Sequence, residues 1–76
     1  MNVKQKIGEK ARFFKTKKQW SQEKLALEAG IDRTYLPSIE KGEKNVSITV
    51  VEKLAIALGI EIKEFFEERE IIEDER

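Results

Sequence analysis

The chain has no cysteine and no histidine in its 76 residues. Their absence excludes disulfide staples, thiolate and imidazole metal sites, histidine general bases and the nucleophile–histidine pairs of triad hydrolases. No catalytic residue, metal or cofactor is expected, and the sequence points away from an enzyme. Apolar runs such as Val50-Val51 and Phe65-Phe66 are far too short to span a bilayer, and the N-terminus lacks the apolar stretch of a signal peptide. A cytoplasmic protein with no membrane partner is the expectation. A chain of this length buries only about 60–65% of its unfolded surface. A single domain over residues 1–76 therefore has a thin core and gains from a partner subunit.

Net charge is also missing, with 15 basic and 15 acidic residues. Position matters more than the total. Residues 1–20 carry seven basic groups against Glu9 alone, a balance of +6, whereas residues 61–76 carry eight acids against three basic residues, a balance of −5. One end can face phosphate while the other faces away, although two solvated helix surfaces would read the same way.

What is present is helical periodicity, cut by stop signals into five helices. Val3, Ile7, Ala11 and Phe14 recur at helical spacing in the first, which is expected to end near Lys17, and Gly8 inside it costs about 1 kcal/mol relative to alanine. Ser21 caps the second, with Trp20 stapling onto Leu25, and Gly30 ends it. Asp32 caps the third, with Ile31 set to meet Leu36, and Gly42 closes it. Ser47 caps the fourth, where Ile48, Val51, Leu54, Ala55 and Leu58 form one stripe ending at Gly59. The fifth places Ile62, Phe65, Phe66, Arg69 and Ile72 within about 120° of one another. No segment alternates with the strand period, so the fold class is all-α.

Only Gly30 and Ile31 separate the second helix from the cap of the third, which forces a tight turn between two short helices. Many helical hairpins share that spacing without binding DNA. The residues carry more. Ser21-Gln22-Glu23-Lys24-Leu25-Ala26, Gly30 through Leu36, Ile39-Glu40-Lys41-Gly42 and Leu54 through Gly59 closely resemble the lambda-repressor-like (Xre) helix-turn-helix family. Within it, Asp32-Arg33-Thr34-Tyr35-Leu36 with Asn45-Val46-Ser47-Ile48 is most similar to the controller proteins of restriction-modification systems. The resemblance implies a five-helix domain with its motif over about residues 21–41 and dimerisation helices over about 47–74.

It also implies roles. Arg33, Thr34 and Ser38 stand where the family reads bases. Arginine can donate twice to guanine O6 and N7, and threonine offers a hydroxyl and a methyl. Gln22 stands where a phosphate is clamped, flanked by Lys17, Lys18 and Lys24, which are equally open to a solvated role. Tyr35 reaches a phosphate, stacks along the groove wall or packs in the capping turn. Lys41, Lys44 and Asn45 follow in the loop, where they would grip the backbone. Pro37 replaces a usual polar residue and is expected to tighten or kink the third helix near its start. Lys15 and Glu40 match a basic and an acidic residue that pair in relatives, and Gln19 stands where relatives have a glycine.

Ile56 lies off the core stripe and, with Phe66 and Ile62, is expected to form a homodimer interface. The expected function is a sequence-specific regulator binding a palindromic operator on double-stranded DNA, with RNA polymerase a further partner if it activates. A phage-type repressor, an antitoxin and an interaction module that has lost DNA contact are the alternatives.

Overall fold

A computed structural model describes residues 2–67. Among them are four α-helices, α1 (Val3–Lys17), α2 (Gln22–Ala29), α3 (Leu36–Glu40) and α4 (Ile48–Leu58), and a 3-10 helix at Ile62–Phe65. The described residues contain no strand, and none of their helices is long and apolar enough to cross a membrane.

The starts of α1, α2 and α4 are fixed by side-chain caps. At α1 the side chains of Asn2 and Gln5 satisfy each other's backbone N–H groups, at 2.9 and 3.2 Å, in a capping box. Ser21 and Ser47 cap as expected, accepting from the N–H groups of Lys24 (3.0 Å) and Val50 (3.2 Å). At the end of α2, Gly30 takes the left-handed conformation (φ 70°), and the N–H of Ile31 returns to the carbonyl of Ala26 at 2.9 Å. Gln19 adopts the same conformation after α1 (φ 61°), where a glycine would be unstrained.

The core is shared by all four α-helices and the 3-10 helix, with α3 laid across α1. Ile7, Ala11, Leu25, Leu36, Ile39 and Phe65 are among its buried members. Val51, Leu54, Ala55 and Leu58 supply the stripe of α4. Ile48, grouped with them by spacing, is 64% exposed because it opens the helix before the stripe meets the core. Val3 is exposed at the start of α1 for the same reason.

Gly8 explains how close α1 and α3 come. A Cβ at this position would lie 2.2 Å from the carbonyl oxygen of Ile39 and 2.9 Å from that of Glu40, so only glycine permits the contact.

Two expectations are corrected. The third helix starts at Leu36, not directly after Asp32. Residues 33–35 form a hydrogen-bonded turn, which puts Pro37 in the first turn of α3, where its missing N–H has no helical partner to lose. No kink is required. Among the described residues, the segment expected to open the fifth α-helix forms the short 3-10 helix. At three residues per turn Ile62 and Phe65 lie over each other, Phe65 reaches the core, and Phe66 follows at its edge. Arg69 and Ile72, placed on that fifth helix, lie outside the described residues, as does the end of the 47–74 region.

Candidate nucleic-acid interface

The turn between α2 and α3 is built around Asp32. Its Oδ1 accepts from the backbone N–H of Thr34 at 2.9 Å and from the Thr34 hydroxyl at 2.8 Å, while its carbonyl accepts from the N–H of Tyr35 at 3.0 Å. The backbone hydrogen bond from Thr34, then its hydroxyl, hold the Asp32 carboxyl below the ordinary aspartate range; desolvation opposes them, and the neighbouring Arg33 charge adds the smallest push downward. Asp32 thus organises the turn instead of capping a helix.

Arg33, Thr34 and Tyr35 are presented on that turn, all exposed. The Arg33 guanidinium is engaged by the carboxylate of Glu23 in the first turn of α2, so its fork has a partner before any DNA arrives. The Thr34 hydroxyl spends its proton on Asp32, leaving the oxygen able only to accept. Ser38 lies further along α3 and is half-buried. Tyr35 is neither core nor bare: the ammonium of Lys44 sits 4.3 Å from its ring centroid, which joins the turn to the loop after α3. Lys41 and Asn45 are exposed in that loop.

Gln22 is half-buried, and its amide nitrogen donates to Oε1 of Glu40 at 3.1 Å. The same oxygen takes the ammonium of Lys15, also at 3.1 Å. The structure therefore brings together a pair matched from relatives and a third residue read only as a phosphate ligand. Oε2 of Glu40 is buried with no hydrogen-bond partner among the described residues, as expected when a point-like ammonium stands where a two-pronged guanidinium could reach both oxygens. Arg12, not singled out in the sequence, donates from Nη1 to the carbonyl of Glu40 at 3.1 Å and closes the end of α3. Its signal was the +6 N-terminal segment, which did not separate it from its neighbours.

The lysines near the start of α2 lie on aromatic rings. Lys18 and Lys24 stand 5.0 and 5.6 Å from the centroid of Trp20, and Lys17 stands 5.6 Å from that of Phe13. Trp20 itself packs against the core. Of the proposed dimer residues, Ile56 is 73% exposed, Phe66 is 37% exposed, and Ile62 is half-buried against the core.

Residues 12–65 match the protein family described as Helix-turn-helix. A hypothetical transcription factor of Neisseria meningitidis is 45% identical over 49 residues, 64% of this chain and 46% of that one, so the chain spans just under half of that relative. Control protein C.BamHI of Bacillus amyloliquefaciens is 40% identical over 67 residues, covering 87% of this chain and 83% of that one. Among solved structures, the restriction-modification controller protein C.AhdI of Aeromonas hydrophila superposes with a TM-score of 0.79 at 44% identity, over 83% of this chain and 96% of that one.

Proposed function

The chain belongs to the Xre-like helix-turn-helix family of DNA-binding transcription regulators, and from that premise we propose that it is a restriction-modification controller acting in the cytoplasm as a homodimer on a palindromic operator. The observation that carries this is the turn held by Asp32. It projects Arg33, Thr34 and Tyr35 from the gap between α2 and α3, with Lys44 braced against Tyr35.

In this reading α3 and its preceding turn enter the major groove. Arg33 donates its fork to guanine, Thr34 accepts from a base amino group, and Ser38 is the third reader. Lys41, Lys44 and Asn45 grip phosphate on one side of the groove, and Gln22 with Lys17 and Lys18 does so on the other. Gln22 still has one amide N–H beyond the one that Glu40 holds. Ile56 and Phe66 meet a second copy of the chain, which would set two recognition turns about 34 Å apart, one turn of DNA.

Enrichment of bound duplexes from random-sequence DNA tests the proposal. It predicts a palindromic consensus with half-sites one helical turn apart. Recovery of no preferred sequence would favour a protein-interaction module instead.

A further inference from the structure

We infer that Glu23 is a specificity-determining residue that acts through Arg33, by offering the guanidinium a second partner and so lowering the penalty for a wrong base. This rests on the proposed role of Arg33 as a base reader.

The pair links two elements, Glu23 in the first turn of α2 and Arg33 in the turn before α3, with both side chains exposed (67% and 69%). Competing partners are otherwise engaged. Lys24, the neighbouring cation on α2, pairs with Glu28 at 2.8 Å, and the Asp32 carboxylate beside Arg33 is taken by Thr34.

An arginine reads guanine by presenting two N–H groups to O6 and N7 at once. It must leave Glu23 to do so, and affinity for the cognate duplex falls by the strength of the ion pair. Opposite a base that offers no such acceptors, Arg33 stays on Glu23 and loses nothing relative to the free protein. The penalty for the wrong base is then the guanine contact less the ion pair, not the whole contact. Removing the carboxylate restores the full difference. Loss of a salt bridge therefore sharpens base discrimination, opposite to the effect expected if Glu23 simply oriented Arg33 for reading.

Exposed ion pairs of this kind correspond to factors of about 1.4 to 5 in an equilibrium constant. The sharpening has the same size. Loss of one negative charge near phosphate also raises affinity for DNA, but it does so for every sequence alike and cancels in a ratio.

The test measures binding of the full chain to the enriched duplex and to each single-base-pair variant of one half-site. It compares the unaltered protein with Glu23→Gln, Arg33→Ala and the double variant. Glu23→Gln is expected to widen the ratio between cognate duplex and variant by about 1.4- to 5-fold, at the base pair whose preference Arg33→Ala removes. In the Arg33→Ala background the same substitution is expected to leave every ratio unchanged. A ratio that stays constant or narrows in Glu23→Gln, while Arg33→Ala still removes a preference, overturns the role of Glu23 and leaves Arg33 as the reader. Should Arg33→Ala remove no preference, the reading of Arg33 fails and the inference fails with it.

Discussion

Lys15 on α1 reaches Oε1 of Glu40 on α3 at 3.1 Å, and the two side chains are 13% and 4% exposed. Solvent screens such a pair weakly, and breaking it from one side leaves a charge in a poorly solvated place. Lys15→Met, which strands the Glu40 carboxylate, is expected to cost about 3–5 kcal/mol in urea unfolding. Deleting the exposed Lys24 charge by Lys24→Ala is expected to change stability by less than about 1 kcal/mol. Equal effects would show that the buried pair holds nothing together.

The left-handed Gln19 (φ 61°) is a local strain with a simple remedy. Side chains carry a steric penalty in this conformation that glycine avoids, offset in part by the greater freedom of glycine in the unfolded chain. Gln19→Gly is expected to raise stability by about 0.5–1 kcal/mol, or about 2–8 °C in Tm. A lower Tm would mean that the Gln19 side chain makes a contribution larger than the strain.

Gly8 makes the opposite case. Alanine has the better helix propensity by about 1 kcal/mol, yet its Cβ would meet the Ile39 carbonyl oxygen at 2.2 Å. Gly8→Ala is therefore expected to destabilise by about 2 kcal/mol or more, because backbone must move to admit it. Stabilisation by this substitution would contradict the close approach of α1 to α3.

Asp32 sets a pH dependence of known sign. Its folded pKa lies below the unaltered value of 3.8, so the stabilisation it gives the turn is fully present above that value and is lost as pH falls through the lower, folded pKa. An NMR titration is expected to show the Asp32 carboxyl and the Thr34 amide moving together, with a midpoint below 3.8. A midpoint at or above that value would mean that the Thr34 hydrogen bonds do not hold the carboxylate.

The serine caps and Gly30 were legible because each is settled by residues within one helical turn, and the stripe of α4 by its repeat, apart from the exposed Ile48 at its start. Other features depend on contacts that one segment cannot encode. Gly8 reads as a weak point in a helix until α3 is laid on it. The start of α3 was misplaced because Asp32 bonds to Thr34 two residues on, a local alternative that competes with capping. Phe65 and Phe66 are about 100° apart in an α-helix and about 120° apart in a 3-10 helix, so periodicity alone does not tell which one the core takes; Phe65 enters it, and Phe66 lies just past the helix end. At the candidate interface the residue types were readable, but their existing engagements were not. Nothing in the spacing alone says that Glu23 holds Arg33 or that Glu40 holds Gln22.

Phe66 and Ile56 remain apolar and accessible beside a thin core. Burying one phenylalanine per subunit contributes about 2 kcal/mol, enough to decide a weak dimer. Phe66→Glu is expected to give a folded monomer with much weaker operator binding. Sedimentation showing a dimer at micromolar concentration in this variant would remove Phe66 from the interface.

In the proposed function the turn carrying Arg33 reads bases while the loop carrying Lys44 grips the backbone, and Arg33→Ala and Lys44→Ala are to be compared on the enriched duplex. Affinities for every single-base-pair variant of a half-site, measured at several salt concentrations, separate the two roles. Arg33→Ala is predicted to cost about 1–3 kcal/mol at one base pair per half-site and to abolish preference there. Lys44→Ala is predicted to weaken all duplexes equally and reduce the salt slope by about one phosphate contact. A uniform loss of affinity in Arg33→Ala, with base preference intact at every position, would contradict the account.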